Sequence, residues 1–78
     1  MPKIFEQDEF SFFFYMNEHE PVHIHVVKQG KKAKFDIVNG KAILVINGKL
    51  SAADLKKAET LATANSALII RKWYEIFG

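Results

Sequence analysis

Asn39-Gly40 is the feature that most narrows what this chain can fold into. Both residues accept a positive φ, which a two-residue type I′ hairpin turn requires. Each side of the pair carries an alternating run. Before it, Ala33, Phe35 and Ile37 alternate with Lys32, Lys34 and Asp36; after it, Lys41 to Ile46 returns as the partner strand, and Asn47-Gly48 ends it. Two such runs around one tight turn specify an antiparallel hairpin.

The same logic extends towards the start of the chain. Gln29-Gly30 marks another tight turn, and Val22, Ile24 and Val26 alternate with His23 and His25 before it. Pro21 marks a break after Asn17-Glu18-His19-Glu20. Phe10 to Tyr15 is aromatic and free of Gly and Pro, so it reads as a strand apolar on both faces. A short strand around Ile4-Phe5 is expected beside it. The negative residues 1–20 (five acids, one base) and the positive residues 21–49 (six lysines, one acid) fit strands that meet, or a polarised surface.

After Gly48 the period changes. Ser51 and Asp54 fit a capping box, and Leu50 and Leu55 occupy the positions of a hydrophobic staple. Leu55, Ala58 and Ala62 form an apolar stripe with Leu61 beside it. From Asn65 to Phe77 only Arg71, Lys72 and Glu75 are strongly polar, so this stretch is expected to be buried on more than one side. No Gly or Pro separates the two stretches, which leaves either one helix bent near Asn65 or two helices. Phe10, Phe12, Phe14, Phe35, Ile37, Leu55, Leu61, Ile69 and Trp73 are the expected core. The expected architecture is α+β: an antiparallel, meander-like sheet of four or five strands, followed by a C-terminal helical region packed on one face, in one domain over residues 1–78.

Length and composition exclude much else. At 78 residues, 49% hydrophobic and without cysteine, the chain has room for one core and none for disulfides or thiolate metal sites. The longest apolar runs, Phe12–Met16 and Ala42–Ile46, are far below the roughly 20 residues of a membrane-spanning helix. No positively charged segment followed by an apolar one opens the chain, so a cytoplasmic protein is expected. A core this small would gain from association with a copy of itself or with a partner.

The histidines carry the sharpest chemical hypothesis, for all three fall between residues 19 and 25. His19-Glu20-Pro21-Val22-His23 matches the H-E-x-x-H spelling of zinc proteases. That motif works only on a helix, where positions i and i+4 share a face, and Pro21 excludes His19 and Glu20 from one. On a strand, His23 and His25 point the same way, about 7 Å apart. They can offer two imidazoles to a divalent transition metal (Zn²⁺, Ni²⁺ or Fe²⁺), with His19, Glu18 or Glu20 as a third ligand from the preceding turn. The candidate metal set is His19, His23 and His25. The same residues are also candidates for general acid–base work. The alternative is that His23 and His25 are solvent-side residues of a half-buried strand, bonded to Asn17, Glu18 or Tyr15. No nucleophile motif and no glycine-rich phosphate loop is present. Lysines 28, 31, 32, 34, 41 and 49 are a weaker candidate nucleic-acid surface with Phe35 stacking, the competing reading being a solvated face.

Phe12-Phe13-Phe14-Tyr15, the segment Asn17-Glu18-His19-Glu20-Pro21-Val22-His23-Ile24-His25-Val26, Ala33-Lys34-Phe35 and the ending Arg71-Lys72-Trp73-Tyr74-Glu75-Ile76-Phe77-Gly78 resemble a family of small bacterial proteins known as domain of unknown function 4160. The opening Met1-Pro2-Lys3-Ile4-Phe5 is similar too. In that family a second proline commonly follows the first; here Val22 stands in its place. The resemblance implies a short cytoplasmic protein, often encoded beside another small protein, as in toxin–antitoxin or small regulatory pairs. It names no chemistry.

Two functions follow as expectations. The first is a non-enzymatic binding or regulatory module acting through a protein partner or a second copy. Its expected contacts are Asn17, Glu18, His19, Glu20, His23, His25, Trp73 and Tyr74. The alternative is a small metal- or histidine-dependent hydrolase or nuclease built on the clustered histidines. The sequence names no cofactor with certainty and no membrane association.

Overall fold

The computed structural model describes residues 2–78. Five strands form one antiparallel sheet in chain order: β1 (Lys3–Gln7), β2 (Phe10–Phe13), β3 (His23–Lys28), β4 (Lys31–Val38) and β5 (Lys41–Gly48). Two helices follow, α1 (Ala52–Ala64) and α2 (Ser66–Phe77). The fold is the expected α+β meander with C-terminal helices. Met1 lies outside the described residues.

The turns explain the register. Val38 pairs with Lys41 across Asn39-Gly40, whose φ values are 52° and 79°. Lys28 pairs with Lys31 across Gln29-Gly30, at 52° and 78°. Both are two-residue turns whose left-handed residues match the strand twist. A third turn carries no sequence signal. Gln7 pairs with Phe10 across Asp8-Glu9, and Glu9 sits at φ 70°. A β-carbon there costs about 1–2 kcal/mol. Glu9→Gly should therefore stabilise the protein by about 0.5–1 kcal/mol after the added unfolded-state entropy of glycine is subtracted. A higher urea midpoint with an unchanged slope is the expected result.

One face of the sheet builds the core. Phe10, Phe12, Phe14, Ile24, Val26, Ala33, Phe35, Ile37 and Ala42 are buried there against Ala58, Leu61, Ala62, Ile69 and Trp73 of the helices. Leu55, expected in the core, is only partly buried and packs on its rim. The staple residue Leu50 is buried. Ser51 caps α1 through Oγ, accepting from the Asp54 amide at 3.1 Å. The return half of the capping box is absent, because the Asp54 carboxylate turns to Lys28 Nζ at 3.2 Å.

Asn65 settles the helix question. Its φ/ψ of −106°/19° breaks the helical path, and its side-chain Nδ2 donates to the Leu61 carbonyl at 2.8 Å. The helical region is therefore two helices. The second is less enclosed than its composition implied. Ile69 and Trp73 are buried, Ile70 and Phe77 are half-buried, and Tyr74 and Ile76 are exposed. A short helix laid over one sheet face buries one stripe only, and no other layer covers the far side.

The two edges of the sheet differ. β1 is five residues long, and Lys3, Glu6 and Gln7 on it are exposed, with Lys3 and Glu6 paired at 3.0 Å. Charge and shortness are the usual protection of a strand edge. β5 is eight residues long and has no charge between Lys41 and its end at Gly48. Ile43, Leu44, Val45 and Ile46 are each between 43% and 57% exposed. The Ala42 amide donates to Thr63 Oγ1 at 3.0 Å, so α1 covers the start of this edge. Beyond it, Val45 bulges between the Lys34–Ile46 and Phe35–Leu44 pairs.

Candidate functional site

The chain leaves β2 at Phe13, and the Phe14 amide donates to the Pro2 carbonyl at 3.0 Å. Asn17 then turns the backbone at φ 60°, a conformation asparagine tolerates better than most residues. This turn folds Glu18 back on the sheet, where its Oε2 accepts the Tyr15 amide at 3.0 Å. Glu18 thereby meets the two histidines of β3. His23 Nε2 lies 2.7 Å from Glu18 Oε1, and His25 Nε2 lies 3.2 Å from Glu18 Oε2. One ligand atom from each of the three residues falls within 4.8 Å of the others.

Each imidazole is held from outside the group as well. His23 Nδ1 lies 2.7 Å from the Pro21 carbonyl, and its ring packs 4.9 Å from Trp73 on α2. His25 stacks on Phe13 at 5.6 Å and meets Tyr15 nearly edge-on at 4.4 Å. Both ring nitrogens of His23 face oxygens that accept, so each contact is a hydrogen bond when that nitrogen carries the proton. Burial works against the Glu18 carboxylate, but the hydrogen bond from His23, the Tyr15 amide and the charges of both imidazoles outweigh it. The carboxyl is held below its ordinary range. Burial pushes His25 down from the ordinary imidazole value; Glu18 opposes this, and His23 and Lys34 add to it.

The expected site residues separate on this geometry. His23 and His25 converge, and Glu18 joins them. His19, expected as the third histidine ligand, does not: its side chain is exposed and outside the group, because the turn that brings Glu18 inward sends the next residue outward. His23 is not a solvent-side residue; it is 5% exposed beneath Trp73. Trp73, expected as a partner contact, is 2% exposed and filled in by Phe14, His23 and Phe77. Asn17, Glu20 and Tyr74 are exposed, and the Tyr74 hydroxyl donates to Glu20 Oε2 at 2.9 Å.

The lysines do not form one track. Lys28 is drawn to Asp54 and lies over the Phe10 ring at 4.9 Å, whereas Lys32 reaches the Tyr15 hydroxyl at 3.4 Å. Phe35, expected as a stacking residue, is 1% exposed in the core. Stacking on a base needs an open ring face, which it lacks. Among the described residues no helix is long and apolar enough to cross a membrane.

Two features escaped the sequence reading. Glu18 as the centre of the group was one option among three turn residues. The exposed apolar row Ile43–Ile46 was read only as a partner strand. Its signal was present: the run is apolar without alternation, on the last strand of a meander, which is an edge unless the chain returns beside it.

No curated protein and no solved structure matches the chain. One family model does, and it covers residues 10–74, from the first core phenylalanine through the His/Glu group to Tyr74. The chain belongs to the family described as Domain of unknown function (DUF4160).

Proposed function

We propose that this protein is a non-enzymatic binding module that captures an extended segment of a partner protein along β5. The observation that carries the reading is the contrast between the edges. β1 is short and charged, while β5 presents Ile43, Leu44, Val45 and Ile46 on an edge open beyond Ala42. An apolar edge of this length is a template for strand addition, in which backbone bonds give affinity and alternate side chains give selectivity.

Charge names the kind of partner. Residues 31–49 hold five lysines and one acid, Asp36, a net of +4. Lys32 and Lys34 lie on the strand next to β5, opposite Gly48 and Ile46. A second copy of β5 laid antiparallel would bring its Lys41 towards the far end, near Lys49, and repel. A β1 edge from another copy carries the acids, but β1-to-β5 contacts are head-to-tail and lead to rings or filaments rather than to a two-fold pair. An apolar strand with acidic flanks, from a different protein, satisfies both the edge and the charge. A small regulatory pair of the kind the family resemblance implies would supply one.

The test uses two synthetic ten-residue peptides with the same alternating Val/Thr centre, one flanked by glutamates and one by lysines. The acidic peptide should shift the backbone amide resonances of residues 43–48 and leave those of β1 unchanged. Peptide N-methylated on its bonding edge should bind at least tenfold more weakly. If neither peptide moves these amides, or if sedimentation shows a stable dimer that buries them, the reading is wrong.

A further inference from the structure

A carboxylate between two imidazoles has two uses. It can hold a buried histidine by hydrogen bonds alone, or it can complete a ligand set. The geometry around Glu18, His23 and His25 bears on which. Tetrahedral ligands about 2.0–2.2 Å from a metal stand roughly 3.3–3.5 Å from one another. Here the carboxylate oxygens lie 2.7 Å and 3.2 Å from the two Nε2 atoms, and the set spans at most 4.8 Å. The Glu18–His25 separation is close to ligand spacing, and the Glu18–His23 separation is short of it by about 0.6–0.8 Å. His23 and Glu18 are nearly enclosed, whereas His25 keeps more exposure.

The surroundings match a ligand set in a second respect. A metal-binding histidine usually donates its other ring N–H to a carbonyl, which fixes the ring and leaves the first nitrogen free to bind. His23 has that arrangement, with Nδ1 at 2.7 Å from the Pro21 carbonyl and Nε2 turned to the group. Glu18 is fixed in the same manner by the Tyr15 amide. A hydrogen-bonded structural histidine needs no such agreement with its carboxylate neighbour.

The third respect is access. His25 also lines a shallow pocket with Tyr15, Lys32, Lys34 and Ile46. Trp73 therefore closes the group beside His23, and His25 is the member that reaches an exposed pocket. Three protein ligands and an open fourth position is the pattern of reactive metal sites; purely structural sites carry four protein ligands. Lys32 and Lys34, which line the pocket, give its surroundings a positive charge that favours an anion in that position.

We infer that Glu18, His23 and His25 form a three-ligand site for a divalent first-row transition metal of the Zn²⁺ class, open through the His25 pocket to a small anionic fourth ligand. Two nitrogens and one oxygen suit Zn²⁺, Co²⁺, Ni²⁺ and Fe²⁺, while Mg²⁺ demands an octahedral shell of oxygens and is excluded. Binding replaces the contacts of His23 Nε2 and His25 Nε2 with Glu18 by bonds to the metal. The three ligands stand apart from the strand-capture reading, although Ile46 of β5 borders both the pocket and that edge.

The experiment titrates the full chain with ZnCl₂, CoCl₂ and MgCl₂. Zn²⁺ should bind one to one at micromolar concentration, shifting the imidazole resonances of His23 and His25 and sparing those of His19. Co²⁺ should give the intense visible bands of a four-coordinate centre, and azide should change them by entering the fourth position. His25→Ala should weaken Zn²⁺ binding at least 100-fold, and His19→Ala should leave it unchanged. The resonances of the unaltered protein decide the matter even if a variant unfolds. Unmoved His23 and His25 signals at 100-fold excess Zn²⁺, equal binding of Mg²⁺, or loss of binding in His19→Ala would each overturn the assignment.

Discussion

Trp73→Ala should destabilise the protein by about 3–5 kcal/mol, the usual cost of removing a buried large aromatic side chain. Total stability for a domain of this kind is only about 5–15 kcal/mol. The variant is therefore expected to sit near its unfolding midpoint at physiological temperature. The magnitude follows from what Trp73 touches. It meets Phe14 edge-on at 5.3 Å, Phe77 at 4.7 Å and His23 at 4.9 Å. It is thus the point where α2 joins β2, β3 and the His/Glu group. The one tryptophan of the chain is lost in this variant, so urea unfolding is followed by far-ultraviolet circular dichroism. Phe13→Leu, on the opposite face, should cost clearly less. Equal losses in the two variants would show that α2 does not anchor on Trp73.

Glu18→Ala should cost a comparable amount, about 3–5 kcal/mol, although it removes little apolar area. Its carboxylate is the acceptor for His23, His25 and the Tyr15 amide. Removing the shared acceptor leaves buried ring and amide donors without a partner, at about 1–3 kcal/mol for each. The pH dependence separates this cause from packing. The Glu18 carboxyl is held below its ordinary range in the folded chain, so the unfolded chain takes up that proton first as pH falls. Its stabilisation is complete above the ordinary carboxyl value and disappears as pH drops through the lowered folded value. His25 acts with the same sign over a higher window. Its lowered affinity for a proton makes the unfolded state the better base below the ordinary imidazole value. The unaltered protein should lose stability as pH falls below the ordinary imidazole value and again below the ordinary carboxyl value, and the gap to Glu18→Ala should narrow only in the second of these windows. A gap that stays constant as pH falls from the ordinary carboxyl value through the acid limb would assign the loss to packing.

Much of the fold was legible because strands and turns are local. The φ requirement of Asn39-Gly40 and Gln29-Gly30, together with period-two alternation, set the β3–β4–β5 register within the residues concerned. Asp8-Glu9 was illegible for the same reason reversed: Glu9 has no preference for its φ of 70°, and the pairing of β1 with β2 imposes it. Asn65 marked the helix junction, yet choosing between a bend and a break depended on where Trp73 and Ile69 had to land on the sheet.

The candidate site divides along the same line. Alternation alone put His23 and His25 on one side of a strand, and Pro21 alone excluded the helical zinc-protease motif. Neither could tell Glu18 from His19. Adjacent residues in a turn point in different directions, and the φ of Asn17 decides which one folds inward. Burial was equally out of reach. A histidine on an alternating strand reads as solvent-facing until a helix from the other end of the chain lays a tryptophan over it. By itself, then, the sequence determined the meander, the helical C-terminal region and the pairing of two histidines, because each rests on contacts a few residues apart. Only the tertiary structure decided that Glu18 joins the group, that Trp73 is buried and that β5 is an exposed edge. Those outcomes depend on how α1 and α2 lie across a single face of the sheet, and that packing is settled by non-local burial.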